Sequence, residues 1–287
     1  ISETGMDEGE SDPSSMNVKR AVETAKKYPE YIVGFKTAHY GGGEYEGDSR
    51  PWTSVDSVLA AGRLAGLPCM FDVHMRKAEH GQPERSYREL LLEKMRPGDI
   101  HTHNYAAQFP VIQEDGTVNP DIIKAQKSGR IFDIGHGSGS IVFRNAIPAI
   151  KQGYLPNSIS TDLHIGSVKH TALSMLNTMA KFLNMGLTLE QVIECSTINP
   201  AREINRPELG NLTVGNTADI AVLDQENGNY TFRDVRNGKI SGSKNLKCMM
   251  TLIEGNIVFD AAGIGYPYWE DIPKDDEYWV NYTGMAY

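Results

Sequence analysis

Five times in succession, an apolar run of five to seven residues ends on a polar or glycine position and gives way to an amphipathic stretch. The runs are residues 31–36, 68–74, 99–103, 130–135 and 158–162. The stretches at 16–27, 54–65, 86–95, 120–128, 142–152, 173–184 and 189–196 carry helical periodicity. Ser14 or Ser15 is a plausible cap for the first of them. Short strands alternating with helices predict βαβ units and a parallel sheet. The runs end at 36, 74, 103, 135 and 162, and the spacing matches the roughly 31 residues per unit of a barrel of about 250 residues. An open doubly wound sheet has a similar period. The line-up of Lys36, His74, His103 and Asp162 on strand ends favours the barrel, because only there do all C-terminal ends meet around one opening. The expectation is a TIM-type (β/α)8 barrel of which five strands are visible. The other three are expected before Ile1.

Beyond residue 206 the texture changes to short β-like runs at 212–214, 220–223, 230–235, 247–253 and 256–259, separated by Gly, Asn and Asp. Glu254-Gly255-Asn256 is a hairpin signal. This predicts a partial barrel over 1–206, a small β-sandwich domain over 207–262, and a tail over 263–287 that covers the surface or a contact in a homo-oligomer. A net charge of −9 with scattered Lys and Arg argues against a nucleic-acid surface. No run approaches a membrane span. Three widely spaced cysteines make no disulfide framework and no zinc knuckle. The chain opens on Ile1 rather than Met, so a cytoplasmic or periplasmic location stays open.

Histidine and carboxylate at strand ends are the residue types that bind divalent metals. Each has a plainer reading. His74 fits a satisfied strand-end histidine, and Asp162 a turn or cap residue. His101 and His103 are two apart and should share one side of their strand, with the later one better placed. Lys36 is the odd member, since an ammonium repels a metal and is costly to bury. From spacing alone a salt bridge is its simpler explanation. A carbamate formed from its neutral amine and CO2 would be an anionic ligand. The glycines of the loop His136-Gly137-Ser-Gly-Ser140 let backbone N–H groups approach an anion, or simply make a tight turn. His164 and Arg76 stand just past two strand ends and are candidate substrate contacts. His39, His80 and His170 read as loop or surface residues.

Taken together, Val33-Gly-Phe-Lys36, Phe71-Asp-Val-His74, Arg96-Pro-Gly-Asp-Ile-His-Thr-His103, Phe132-Asp-Ile-Gly-His-Gly-Ser-Gly-Ser140, Ser158-Ile-Ser-Thr-Asp-Leu-His164, Asn199-Pro-Ala-Arg202 and the run 212–223 resemble the amidohydrolase superfamily, in its dihydroorotase-like deacetylase branch. The resemblance spans roughly residues 16–260. It implies that Lys36 is the carbamylated lysine, that His74 and His103 are ligands of one or two Zn2+ ions, and that Asp162 is both ligand and proton shuttle. It further implies a His-x-His pair on the first barrel strand, which would precede Ile1. The implied activity is metal-dependent hydrolysis of an amide or ester bond in a small N-acyl or O-acyl compound. Cyclic-amide hydrolysis, deamination, phosphate binding at the loops after the last strands, and a non-catalytic barrel scaffold are the competing readings.

Overall fold

The computed structural model describes residues 15–40, 52–73, 75 and 85–272. Two compact units partition the chain: Ile1–Asn216 with Gln225–Leu246, and Thr217–Asp224 with Lys247–Tyr287.

The first unit opens with α1 (Val18–Lys27), capped by Asn17, whose side-chain oxygen accepts from the Arg20 N–H at 3.0 Å. The cap lies beyond the serines expected to serve it. Then follow β1 (Phe35–Tyr40), α2 (Thr53–Ala65), β2 (Cys69–Val73), the short α3 (Tyr87–Glu89), β3 (Ile100–His101), α4 (Pro120–Lys127), β4 (Ile131–Phe132) and α5 (Phe143–Lys151). After these come α6 (Met175–Met185), α7 (Leu189–Ser196) and α8 (Ile198–Glu203). The alternation predicted from the apolar runs is present. Its first strand starts later than predicted, because the N–H groups of Tyr31 and Ile32 bond back to the Tyr28 carbonyl and extend the end of α1. The stretch predicted as helix over 86–95 is α-helical for one turn and then π-helical over Leu90–Lys94. Its C-terminal carbonyl at Met95 is taken by the Arg130 guanidinium.

All strand pairings β1–β2, β2–β3 and β3–β4 are parallel, and the strand order is the chain order. A sheet that grows in one direction over these four strands has no switch point among the described residues, as the winding of a barrel requires. One residue row runs Thr37, Phe71, His101, Phe132 across the four strands. Phe71, Val73, Ile100 and Phe132 are buried, as are Val55, Val58, Leu59, Ile122 and Ala146 on the covering helices. Near-continuous burial along β2 is what a parallel strand covered on both faces requires. Each such aromatic or branched side chain contributes about 1.5–3 kcal/mol relative to exposure.

The fifth predicted strand, 158–162, does not form as a strand. Ser158 makes a single parallel bridge to Asp133, and the His136 and Gly137 N–H groups then bond the Ser160 and Thr161 carbonyls. The segment therefore lies beside the chain that follows β4, while its Ile159 N–H bonds the Cys195 carbonyl at 2.8 Å.

Beyond α8 come β5 (Ile220–Arg233), β6 (Lys239–Ile253) and β7 (Asn256–Asp260), a three-stranded sheet in that order. Of the expected small β-sandwich domain, one three-stranded sheet is present among the described residues. The runs 220–223 and 230–235 merge into one long strand because the polar residues between them, half-buried or exposed, stay extended. The β6–β7 hairpin turns on Glu254 and Gly255, with φ 51 and 82. Two positive φ values are the type I′ geometry that matches strand twist.

Candidate metal centre

One step beyond the row that contains His101, the strand ends carry Asp72, Thr102 and Asp133. Asp133 is buried and accepts hydrogen bonds from Thr102 Oγ1 (2.7 Å), Ser158 Oγ (2.9 Å) and Ser160 Oγ (2.8 Å). Ser160 Oγ in turn accepts the Gly135 N–H at 3.0 Å. One carboxylate thus ties the end of β3, the chain after β4 and the 158–162 segment into a fixed frame.

His103 sits just past β3 in that frame, buried and left-handed at φ 58. Its Nδ1 lies 2.7 Å from Asp72 Oδ2, and the other oxygen of Asp72 accepts Gln108 Nε2 at 3.1 Å. Its Nε2 lies 3.4 Å from Asp162 Oδ2, an ion-pair distance rather than a directed hydrogen bond. Asp162 is also left-handed, at φ 43. Such a backbone costs on the order of 1–2 kcal/mol per non-glycine residue, and residues in these conformations concentrate at functional sites. Two glycines make room for the pair. A Cβ on Gly135 would lie 2.5 Å from the His103 ring, and one on Gly137 would lie 2.6 Å from Asp162 Oδ2.

Electrostatics follow from the geometry. Burial opposes the charged form of His103, yet the carboxylates of Asp162 and Asp72 outweigh it and raise the imidazole to about 9. The contact with His103 holds the Asp162 carboxyl below its ordinary range, with burial opposing and the charges of His103, Lys36 and His164 assisting. Lys36 therefore acts on both residues through its charge, and the structure brings Lys36, His103, Asp162 and His164 into one neighbourhood. Lys36 itself is exposed, so the burial cost anticipated from its strand position does not arise.

His74 and Arg76 lie outside the described residues, and so do the side chain of His39 and all of His80. His101 does not share the environment of His103. It is fully buried, edge-on to Phe109 at 4.4 Å and to Tyr87 at 5.5 Å, and stacked on Phe132 at 5.7 Å. Burial pushes it down to about 4. The predicted two-residue alternation fails because β3 stops at His101 and the backbone turns left-handed at His103. The loop after β4 spends much of its backbone internally. Gly135 N–H bonds Ser160 Oγ, those of His136 and Gly137 bond Ser160 and Thr161 carbonyls, and that of Ser140 bonds the His136 carbonyl. His136 is fully buried with Nε2 2.6 Å from Lys181 Nζ. His164 Nδ1 accepts the Gly166 N–H at 3.2 Å. Sequence reasoning did not single out Asp72, Asp133 and Lys181. The available signal was a charged residue inside an otherwise apolar strand end or helix face.

The chemistry of the donor set suits a divalent cation. A histidine whose Nδ1 is held by a carboxylate presents Nε2 outward in a fixed orientation, the usual arrangement around a metal-ligating imidazole. Asp162 stands opposite, in a space that two glycines keep clear. Among the described residues, which exclude His74, no group of three or more His, Cys, Asp and Glu converges to hold a metal ion. No helix among the described residues is long and apolar enough to cross a membrane.

Comparison with known proteins places this arrangement. The amidohydrolase family's sequence profile matches residues 136–258. A deacetylase of Brucella anthropi is 32% identical over 233 residues, which is 80% of this chain and 54% of that protein. An adenine deaminase structure superposes with a TM-score of 0.78 at 22% identity, covering 88% of this chain and 66% of that one, a likeness of fold. A dihydroorotase structure superposes with a TM-score of 0.71 at 28% identity, covering 87% and 64%. The chain spans about half the length of the curated relatives it matches. A parallel sheet wound in chain order, with its ionisable groups gathered past the strand ends, is what the TIM-barrel fold of these relatives implies, and the chain belongs to the amidohydrolase superfamily.

Proposed function

We propose that this chain carries the site of a metal-dependent hydrolase that cleaves an amide or ester bond in a small N-acyl or O-acyl compound. In this reading residues 1–206 contribute to a TIM-type barrel, 207–262 to a small β domain, and 263–287 to a covering tail. The observation that carries the reading is His103, fixed by Asp72 on Nδ1 and facing Asp162 with Nε2 at 3.4 Å. The deacetylase name of the 32% identical relative favours an acyl group. The dihydroorotase neighbour makes a cyclic amide the natural competitor.

Lys36, His74, His103 and Asp162 would hold one or two divalent ions, with zinc suited to imidazole and carboxylate ligands. Such an ion, when bound, polarises a carbonyl and brings the pKa of water toward neutrality. The residues supply the rest. Asp72 fixes the orientation of His103. Asp162, a carboxylate facing His103 Nε2 at 3.4 Å, would take a proton from the attacking water and return it to the leaving amine or alcohol. Carbamylation of Lys36 would replace a cation beside His103 and Asp162 with an anion, which favours a bound metal. His136, Gly137, His164 and Arg76 are assigned to the substrate side.

Metal analysis of the full protein, with turnover assays on N-acyl amino acids, O-acyl compounds and cyclic amides, tests the reading. Stoichiometric divalent metal with hydrolysis of an N-acyl or O-acyl compound is the expected result. Cyclic-amide turnover alone would move the assignment to the competitor. A chain that takes up no metal would be a scaffold.

A further inference from the structure

A buried lysine lies on the far side of the loop that carries Gly135 and Gly137. Lys181 belongs to α6, among the buried Thr178, Met179 and Phe182, and is 1% exposed. Its Nζ donates to the Thr171 carbonyl and lies 2.6 Å from His136 Nε2. His136 Nδ1 is buried and makes no hydrogen bond of normal geometry among the described residues. The charged groups that act on Lys181 are Asp234 and Arg233. Asp234 is committed to the Phe143, Arg236 and Gly238 N–H groups, and Arg233 to the His170 carbonyl. Burial draws the ammonium down to about 7, with Asp234 opposing and Arg233 adding. Burial, and then Lys181, hold the imidazole down at about 4, with backbone groups and Asp234 opposing, so the ring is neutral.

Below about pH 7 Lys181 carries its proton, and an ammonium has three protons to give and no lone pair to accept with. A neutral imidazole bonded to it must offer Nε2 as a bare acceptor, which leaves its one proton on Nδ1. We propose that Lys181 is a positioning residue of this site: by donating to His136 Nε2 from inside the protein, it fixes the ring in the Nδ1-protonated tautomer and reserves that N–H for an oxygen of the substrate. A buried donor left unpaired is costly, so an acceptor that reaches Nδ1 is bound with more than the usual gain. Either the acyl oxygen or a carboxylate of the substrate has the required chemistry. The inference rests on the substrate-side assignment of His136 made above.

Nitrogen-15 NMR of the full chain labelled at histidine, recorded at pH 6.5, reads the tautomer directly, with Lys181→Met providing the assignment. His136 is expected to show a protonated Nδ1 and a hydrogen-bonded bare Nε2, and to lose that pattern in Lys181→Met. With zinc loaded, Lys181→Met is expected to lower kcat/KM about tenfold, mainly through KM, the size of effect one lost hydrogen bond gives. Its zinc content should match wild type. Lys181→Gln, which keeps an N–H donor, should recover part of the loss. A protonated Nε2 in the wild-type protein would overturn the proposal, and so would unchanged kcat/KM in Lys181→Met. If Lys181→Met does not fold, the wild-type spectrum alone decides. If the wild-type spectrum shows the expected tautomer and no acyl compound is turned over, the assigned reaction fails and the positioning of His136 stands.

Discussion

At the N-terminal edge of the parallel sheet polar groups are paired nearly to completion, whereas a few residues further along the same strands they face one another with partners to spare. Asp99, just before β3, takes the Cys69 N–H and Arg96 Nη2 on one oxygen, and Arg96 N and Nε on the other. Arg96 spends a further donation on the Leu67 carbonyl. Asn157 takes the Phe132 N–H and Gln126 Nε2 in the same manner beside β4. Left-handed turns near this edge fall on Gly98 and Gly129, where they cost little. At the C-terminal edge they fall on Gly135 and Gly137 and also on two non-glycine residues, His103 and Asp162, whose side chains confront each other. The difference separates stability from chemistry: one edge is closed by saturated bonds, and the other keeps donors and charges available at a conformational cost. In barrel enzymes the C-terminal face of the strands is the one that carries the chemistry.

Removing Asp162, the proton carrier proposed above for the C-terminal edge, should have the largest effect. Asp162→Asn keeps the size and the ability to accept a hydrogen bond but cannot take a proton. A fall in kcat of about 10²–10⁴-fold is expected, the span of general acid–base contributions. Metal content should be largely retained, and the unfolding free energy should change little. A rate near that of the wild type in steady-state assays would refute the assigned role.

The opposite edge should respond in the opposite currency. Asp99→Ala leaves the partly buried Arg96 guanidinium and the Cys69 N–H without their acceptor. Loss of a paired buried carboxylate predicts a destabilisation of about 2–4 kcal/mol, read by urea unfolding. Turnover per folded molecule should be unchanged. Equal loss of stability and kcat would show that the two edges are not energetically separate.

Much of this division was legible in the apolar runs and much was not. The alternation of strands and helices, and the placement of His103 just past a strand end, follow from hydrophobic pattern, which local burial enforces; Lys36 instead falls on the second residue of β1, and Asp162 ends a segment that forms no strand. The fate of His101 could not be read, because it depends on where β3 stops, and a two-residue strand leaves no periodicity to measure. Lys36 was expected to be buried at the end of its apolar run, but the strand starts at Phe35, and Lys36 falls near its beginning with an exposed side chain. Lys181 was passed over for a related reason. One lysine in a helix is read as solvated, and only the distant Thr171 carbonyl and His136 ring make its burial possible. The long β5 was split in two because residues 224–229 are polar, yet an exposed antiparallel strand needs no apolar alternation to hold its ladder.

Glu203, at the end of α8, is an exception among the saturated groups of the N-terminal side, and it offers the smallest and most specific test. It lines a cavity of about 340 Å³ together with Asp99, Ile131 and Arg202, and its Oε1 is buried without a hydrogen-bond partner among the described residues. Burial raises its carboxyl from 4.5 to about 7; a hydrogen bond with Ser158 opposes this and the charge of Asp133 adds to it. The folded protein therefore holds a proton that the unfolded chain releases above its ordinary value. The stabilising preference is fully present below pH 4.5 and is lost as pH rises through about 7, since there the folded state must bury a charge or release it at a cost. Glu203→Gln carries the neutral form at every pH. Relative to wild type, its unfolding free energy should gain about 1–2 kcal/mol between pH 5 and pH 8, measured as the difference of two urea midpoints at each pH, with kcat unaffected. A pH-independent difference would mean that Glu203 is solvated in the folded state, and that the N-terminal edge has no unsaturated acid to contrast with Asp162.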